Sequence, residues 1–227
     1  NTASGRSTLY ENTTGSWNTA SGYGAMYTNT TGGANTAIGY KALRLNTTSG
    51  QNTAVGNEAL YNATGGNNTA VGKSAGNSTT TGSNTTSLGY NAQPSSASTS
   101  NEITLGDSNV TNLRCADTSI SSLSDARDKT DVVDLPVGLD FINTLRPVKF
   151  KWQTREGVPS KDGTVRAGFI AQDLQSAQND SEADYLDLVL DSNPDKLEAK
   201  YGKLVPVLVQ ALQEATSKIE GLGAEIE

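Results

Sequence analysis

The sequence predicts a mainly β N-terminal half, built as a trimeric β-roll or β-prism solenoid, and then a small α+β domain ending in a long coiled-coil helix. Three observations support this prediction: a short repeat, a change of composition near residue 124, and a heptad pattern in the tail. The first 124 residues hold five Lys or Arg and five Asp or Glu, whereas the other 103 hold twelve and nineteen. The net charge of −7 therefore belongs to the second half.

One phrase, which begins Asn-Thr-Ala and ends in Gly, recurs through the first half. Five copies end at Gly5, Gly22, Gly39, Gly56 and Gly72, and a sixth, degenerate copy ends at Gly89, so the glycines are spaced by 17, 17, 17, 16 and 17 residues. A fixed short period is the signature of a solenoid in which each repeat forms one coil. We expect two short strands and two turns in each coil, with a strand that reads Thr-Ala-x-Gly-x-x-Ala-Leu. Because the chain starts inside a repeat, we also expect further coils upstream.

Stacked coils place equivalent residues in columns along the solenoid. Two columns are large and apolar and one is small: Ile38, Val55, Val71 and Leu88; Leu9, Met26, Leu43 and Leu60; Ala25, Ala42, Ala59, Ala75 and Ala92. Hydrophobic content is 34% in the whole chain, which is below the roughly 45–50% of ordinary globular domains. A coil with so few large side chains buries little alone, so we expect three chains to share the interior.

The composition excludes several classes of function. There is no His, which removes a Ser-His triad and a His-bearing zinc site, and we expect neither metal nor cofactor. The single Cys115 cannot form an intrachain disulfide and is best interpreted as a small buried hydrophobe. No apolar run is long enough to span a membrane. The acidic balance argues against nucleic acid as a partner.

The chain divides into three predicted regions: a fibre shaft over 1–93, a β-rich connector over 94–123 and a C-terminal domain over 124–227. Within the last region we expect a helix over 138–145 that presents Leu139, Ile142 and Leu145 on one face. Strands are expected over 148–152 and 185–190, and a strand running into a helix over 165–174.

The tail from residue 201 to 227 is predicted to be helical. Its apolar residues are spaced 3, 4, 3, 4, 3 and 4 apart, at Val205, Leu208, Leu212, Ala215, Ile219, Leu222 and Ile226. This spacing is typical of the a and d positions of a coiled coil, and with a trimeric shaft it favours a three-stranded bundle. The alternative is a helix that packs only on its own domain.

The segment Ser-Asp-Ala-Arg-Asp-Lys at 124–129 lies where the composition changes, and two interpretations compete for it. In the first, Ser124 or Asp125 caps the N-terminus of a helix. In the second, Ser124 is a nucleophile and Lys129 its base in a self-cleaving peptide bond. Local sequence alone favours the cap.

Motifs elsewhere in the sequence favour the second interpretation, the self-cleaving peptide bond. Leu-Ser-Asp-Ala-Arg-Asp-Lys at 123–129, Gly-Leu-Asp-Phe-Ile at 138–142, Gly-Phe-Ile-Ala-Gln-Asp at 168–173 and Leu-Val-Pro-Val-Leu-Val-Gln-Ala-Leu-Gln-Glu at 204–214 occur in this order. Together they resemble the C-terminal intramolecular chaperone domain of phage tail spikes, tail fibres and endosialidases. The resemblance implies a homotrimer whose domain helps the preceding β-fibre fold and then cuts itself off at the Ser124–Asp125 bond.

The resemblance also implies the roles of individual residues. Ser124 would be the nucleophile and Lys129 the base of a serine endopeptidase that acts once, in cis or within the trimer, with no external substrate. Arg127, Gln172 and Asp173 are candidates for orienting the scissile carbonyl or stabilising its oxyanion, although structural roles are favoured for them. Whether Ser124 and Lys129 act within one chain or across two stays open. The implied location is the virion of a bacteriophage, after synthesis in the host cytoplasm, with release of the chaperone domain on cleavage.

The repeat half resembles the head repeats of trimeric autotransporter adhesins and of phage fibres, which implies a parallel β-roll and a trimer. Its aromatic residues are candidates for stacking on a host-surface carbohydrate receptor, although packing along a fibre explains them equally well. They are Tyr10, Trp17, Tyr23, Tyr27, Tyr40, Tyr61 and Tyr90. Two alternatives to the self-cleaving chaperone therefore remain: a structural trimer that does not cut itself, and an adhesin that binds glycans through its shaft.

Overall fold

The computed structural model describes residues 1–116, 121–122, 124–152 and 163–224. The chain divides into two compact units, Asn1–Leu113 and Arg114–Glu227. Two residues of the predicted motifs, Leu123 and the last member of the helical seam, Ile226, lie outside the described residues.

The first unit is a β-solenoid whose strands form one parallel sheet. They are β1 (Thr2–Ser4), β2 (Thr19–Ser21), β3 (Thr36–Ile38), β4 (Thr53–Val55), β5 (Thr69–Val71), β6 (Thr86–Leu88) and β7 (Ile103–Leu105). Each strand pairs in register with the next, so that Ala3, Ala20 and Ala37 are neighbours. The period of the sequence is therefore one coil, and β7 continues the sheet into the stretch predicted as a connector.

Each coil contains one strand of three residues, so the expectation of two strands per coil is wrong. The second half of the predicted strand forms turns, in which Lys41 and Leu43 have φ angles of 52° and 51°. These angles lie in the left-handed region, which non-glycine residues rarely adopt and which bends the chain away from an extended path. Burial of the whole Leu43 side chain offsets this strain.

One chain fills the interior of its own solenoid. The side chains of Met26, Leu43 and Leu60 are fully buried, as are the alanines of the predicted small column. Of the two large columns, only the one that contains Leu43 faces inward, and Ile38 is 44% exposed on the outside of the sheet. The expectation that three chains share the interior is wrong, because alanine is small enough to let a single coil close.

Buried asparagines complete this interior by bonding to neighbouring coils. The Asn18 side-chain amide donates to the Gly32 carbonyl at 2.8 Å, and its oxygen accepts from the Asn35 backbone amide at 2.9 Å. Asn35 repeats the arrangement, since its oxygen accepts from the Asn52 backbone amide at 2.9 Å. The repeated Asn thus satisfies backbone groups that would otherwise be buried without a partner.

The second unit is a small α+β domain. Its elements are α1 (Leu139–Thr144), β8 (Val148–Lys151), β9 (Val165–Gly168), α2 (Ala171–Asp180), β10 (Val189–Leu190), β11 (Glu198–Ala199) and α3 (Val205–Ala224). Two antiparallel pairs are formed, by β8 with β9 and by β10 with β11. Short 3₁₀ turns cover Ala126–Asp128, Asp184–Leu186 and Tyr201–Leu204, so the strand predicted over 185–190 is a turn followed by β10.

All three helices contribute to the core of this unit. Phe141 of α1, Leu174 of α2 and Val207 of α3 are buried together. Leu188, which directly precedes β10, is buried with them. The helix predicted over 138–145 is present, but its buried residue is Phe141 rather than the predicted face, whose members Ile142 and Leu145 are only partly buried. Ile142 and Leu145 still pack against the edge of this core, and α1 contacts α3. Among the described helices, none is both long and apolar enough to cross a membrane.

Candidate functional site

The segment from Ser124 to Lys129 is organised by a single 3₁₀ turn. Asp125 is its N-cap: the side chain accepts a hydrogen bond from the Arg127 backbone N–H at 2.9 Å. The turn closes through bonds from the Asp128 N–H to the Asp125 carbonyl and from the Lys129 N–H to the Ala126 carbonyl, at 3.1 and 3.3 Å. A 3₁₀ turn has three residues per turn, and this tight path returns Lys129 toward Ser124.

The two predicted catalytic side chains are in contact. Lys129 Nζ donates a hydrogen bond to Ser124 Oγ at 2.7 Å, and both residues are exposed in this single chain. The helix-cap interpretation also describes the segment, although the cap is Asp125 and the Ser124 hydroxyl is left to the lysine. The cap and the Ser–Lys contact therefore coexist, since they use different side chains.

Arg127 is bound to the carboxylate of Asp125. Its Nε lies 3.0 and 3.1 Å from the two carboxylate oxygens, and its Nη2 lies 2.5 Å from one of them. The hydrogen bonds from the Arg127 side chain, and then from its backbone N–H, lower the pKa of Asp125. The same pair raises the pKa of Arg127. Arg127 thus orders the turn, and its charge is matched by the carboxylate of Asp125, the residue next to Ser124.

Asp173 and Gln172 lie in the first turn of α2. The Asp173 carboxylate accepts hydrogen bonds from Arg146 Nε at 3.0 Å and from Arg146 Nη2 at 2.6 Å, which ties α2 to the chain between α1 and β8. Gln172 is exposed. Within the described ranges no hydrogen bond joins either residue to Ser124 or Lys129, so the structure does not bring these two predicted supporting residues to the Ser–Lys pair.

Two residues of the motif at 168–173 pack on Tyr201, which precedes the motif at 204–214. The Tyr201 hydroxyl accepts a hydrogen bond from the Phe169 N–H at 3.2 Å, and the two rings pack edge to face with centroids 5.7 Å apart. A Cβ atom on Gly168 would lie 2.6 Å from the Tyr201 hydroxyl oxygen, so only glycine allows this approach. The motif around 168–173 and Tyr201 therefore form one packing unit.

Sequence reasoning missed a further structural residue, Glu214. Its carboxylate on α3 accepts the Leu139 N–H at 2.8 Å, which satisfies a free amide at the start of α1, and it also accepts from the Gln210 side chain at 3.1 Å. These two bonds, the first more than the second, lower the pKa of Glu214. The partners are 75 residues apart, and no local spacing could have indicated the contact.

The comparisons with known proteins agree with this division of the chain. Residues 124–182 match a family model described as chaperone of endosialidase, a family classed as a peptidase. The matched segment begins at Ser124 and contains the whole Ser–Lys turn, α1 and α2. No curated protein and no solved structure matches the chain.

The first unit is thus a β-solenoid, and residues 124–182 of the second unit are similar to the chaperone of endosialidase. This finding supports a role in tail-fibre folding for the second unit.

Proposed function

We propose that the second unit trimerises, guides the folding of the solenoid before it, and then cuts the chain at the Ser124–Asp125 bond. The observation that supports cleavage most directly is the 2.7 Å contact between Lys129 Nζ and Ser124 Oγ, at the start of the matched segment. As an ammonium group Lys129 donates this bond. Once neutral, the same nitrogen accepts the Oγ–H proton and activates the hydroxyl.

In this proposal the nucleophile and the cut belong to different copies, because of where the bond lies. An attack of Ser124 Oγ on its own carbonyl carbon would close a strained four-membered ring. In our proposal, Oγ bonds instead to the Ser124 carbonyl carbon of a second copy, and the bond from that carbon to the Asp125 nitrogen breaks. The Oγ proton passes through Lys129 to the leaving amine, and water then hydrolyses the ester and restores the hydroxyl.

The exposed face of α3 supports association of copies. One side of the helix is used within the unit, where Val207 and Ala211 are buried. The seam predicted from the heptad pattern lies elsewhere on the helix, and Leu212 and Ile219 on it are 69% and 70% exposed. Apolar residues at this spacing are covered when parallel helices pack together. A trimer of α3 would remove this apolar surface from water.

The outer face of the solenoid sheet supports association as well. It carries an apolar column that is at least partly exposed over five successive strands: Ile38, Val55, Val71, Leu88 and Leu105. No charged residue occurs in this column or in the neighbouring one that begins with Thr2. Identical copies can therefore approach through this face without like-charge repulsion, and burial of the column stabilises the contact.

The repeat explains why such a fibre needs a chaperone. Copies shifted by one coil would bury nearly the same column, so the sheet face alone specifies register poorly. A C-terminal trimer brings three chain ends together and sets the register before the coils associate. After cleavage the fibre can no longer unfold by way of the attached C-terminal domain. It is then kept folded by a kinetic barrier. In this proposal the solenoid stays in the phage tail fibre and the second unit is released.

The test is denaturing mass spectrometry of the parent protein and of three variants. We expect two fragments that meet at Ser124 and Asp125 in the parent and in Ser122→Ala, a neighbouring-serine control, and one intact chain in Ser124→Ala. Lys129→Arg should abolish cleavage because a guanidinium stays protonated. An intact parent chain would remove the peptidase and leave a structural trimer that does not cut itself.

A mixed assembly tests the transfer between copies. A mass-tagged Ser124→Ala chain, co-expressed with the parent, should be cut by the hydroxyl of its neighbours. If the tagged chain stays intact while the parent chains of the same assembly are cut, the nucleophile and the bond belong to one copy and this part of the proposal is wrong.

A further inference from the structure

A short apolar segment that follows the Ser–Lys turn is exposed in the second unit. Val132 and Val133 are 76% and 82% exposed, and they lie between Asp131 and Asp134. The backbone of residues 130–137 makes no hydrogen bond within the described part of the chain. Adjacent valines in water are unfavourable, and the N–H and C=O groups beside them are available to another strand. This segment is therefore suited to a partner that the single chain does not supply.

The residues on either side limit how much of this segment can act as a strand. Asp131 has a φ angle of 53°, in the left-handed region, which turns the chain. Pro136 has no N–H to donate to a ladder, and Leu135 already packs against the core of its own unit. The residues available as a strand are therefore 132–134, and their number equals that of each solenoid strand.

The β8–β9 sheet has an open edge with basic side chains. Among the described strands β8 pairs only with β9, so the backbone groups on its outer edge have no partner strand. Lys149 and Lys151 lie on one face of the sheet and are exposed, whereas Phe150 lies on the other face and is half-buried. Neither lysine forms an ion pair with a described residue. A two-stranded sheet is marginally stable in water, and a third strand would stabilise it.

We propose that residues 132–134 of one copy add to the outer edge of β8 in a second copy, as a third strand of its sheet. Val133 then lies beside Phe150, and Asp134 lies beside Lys149 or Lys151, according to the direction of the added strand. The backbone groups of the two copies pair as in any β-ladder. The Asp134 carboxylate and the ammonium group beside it form an ion pair between copies.

The charges of this edge select the strand that it accepts. Lysines on an edge strand usually oppose pairing with other strands. An acidic strand removes this opposition, whereas a neutral or basic strand does not. In the single chain residues 130–134 are exposed and β8 has no third strand among those described, so a chain does not fill its own edge. The occupant is therefore the segment of a second copy.

This contact rests on the proposed association of copies and gives it a further role. Val132 comes three residues after Lys129. Docking of residues 132–134 on a second copy therefore holds the Ser–Lys turn of the first copy close to that neighbour. A cut made by one copy in another needs such a connection.

Disulfide cross-linking between two full-length chains with different mass tags tests the proposal. Both chains carry Ser124→Ala, so that they stay intact, and Cys115→Ser, which removes the exposed natural thiol. One chain also carries Val132→Cys, and the other carries Lys149→Cys, Lys151→Cys or Val165→Cys.

We expect a mixed-tag dimer with Lys149→Cys or Lys151→Cys. Facing Cβ atoms on neighbouring strands are roughly 5 Å apart, which a small adjustment brings within reach of a disulfide. Val165→Cys is the matched control, because Val165 lies on the same face but on β9, one strand further from the added segment. It should give no mixed dimer.

Sedimentation velocity of the same samples separates this inference from the proposed function. Trimers that give no mixed dimer with either lysine position overturn the strand addition and leave trimerisation standing. Monomers throughout would overturn trimerisation and the strand addition together. Equal cross-linking of Val165→Cys would show that the segment does not lie along β8 and would overturn the inference.

Charge reversal gives a second readout. Asp134→Lys should raise the dissociation constant of the trimer at least about tenfold, because like charges then face each other at three contacts. Asp180→Lys makes the same change at the exposed end of α2 and should have no effect. Lys149→Glu with Lys151→Glu should restore the Asp134→Lys trimer. Failure of this rescue would show that these charges do not meet and would overturn the proposed pairing.

Discussion

Single residues decide which buried polar groups inside the solenoid have a hydrogen-bond partner and which have none. Asn29 donates to Asn12 Oδ1 at 2.7 Å and Asn46 donates to Asn29 Oδ1 at 3.0 Å, so side-chain amides bond from coil to coil. The next buried position is Ala63, and the oxygen of Asn46 has no partner. A ladder of this kind stabilises the fold only while each coil supplies the same amide, and it costs free energy where the residue changes.

Ser87 is a second interruption and leads to a prediction. It lies in the buried strand column that is alanine at 20, 37, 54 and 70, and its hydroxyl is buried without a partner. An unsatisfied buried hydroxyl costs about 1–3 kcal/mol. Ser87→Ala should therefore raise the free energy of unfolding by about 1 kcal/mol in chemical denaturation. Ser21→Ala, at the less buried third position of its strand, is the control and should have little effect. A destabilised Ser87→Ala would mean that the hydroxyl is satisfied.

At the scale of elements, α3 organises the second unit through a polar contact and two apolar faces. The polar contact is the bond from the Leu139 N–H to Glu214, which fixes the start of α1 against α3. Of the apolar faces, one is buried within the unit and the other is exposed along the predicted seam. The helix therefore packs within the domain on one face, and its other face is the surface of the proposed trimer.

The Glu214 contact predicts a pH dependence. Its pKa is lowered in the folded protein, mainly by the Leu139 N–H and then by Gln210, so its contribution to stability is present above the unfolded-state pKa of about 4.3 and is lost as the pH falls through the lowered value. Glu214→Gln should lower stability at neutral pH and reduce its decline in acid, as measured by thermal unfolding over a pH series. Glu220→Gln on the same helix is the control and should keep the parent's acid profile. An unaltered acid profile in Glu214→Gln would contradict the assignment.

The exposed seam predicts the effect of a buried charge on assembly. Leu212→Asp places a carboxylate at the centre of the proposed bundle, where it would lose its hydration, and should convert trimers to monomers in sedimentation velocity. Ser217→Asp adds the same charge at an exposed position outside the heptad seam and should leave the trimer intact. Trimers that survive Leu212→Asp at the parent's concentration dependence would show that α3 is not the interface.

At the scale of the molecule, the two units differ in how strongly their sequences specify a single packing arrangement. The solenoid repeats one coil, and its columns are nearly equivalent from strand to strand. The second unit has no repeat, and its core joins residues as distant in sequence as Phe141 and Val207. A non-repeating core has one arrangement, so this unit is suited to set the register of the other.

This difference predicts a refolding asymmetry. Protein that is uncut, such as Ser124→Ala, should regain the proposed trimeric state after removal of denaturant, because the second unit is still attached. Cleaved protein from which residues 125–227 have been separated should refold far more slowly or aggregate, as followed by light scattering and sedimentation. Equal refolding yields for the two would argue against a chaperone role.

Local and periodic features could be predicted from the sequence alone. The coil length, the strand at each Thr-Ala-x and the existence of a helix in the C-terminal tail follow from a repeating glycine and a heptad spacing, which act over a few residues. The turn between Ser124 and Lys129 belongs to the same group, since its cap is the adjacent Asp125. Such signals suffice because each residue's partner lies close by or at a fixed period.

The sequence did not show which way each column of side chains faces, or which residues far apart in the chain are in contact. The Leu43 column and the Ile38 column have the same period, and only the left-handed turns of each coil decide that the first faces inward and the second outward. The contact of Glu214 with Leu139 and the packing of Tyr201 on Gly168 join residues far apart, so no local pattern reports them. The sequence by itself therefore determined the period and the motifs. The tertiary structure decided which faces are buried and which motif residues have only a packing role, because burial depends on which distant segments of the chain come together.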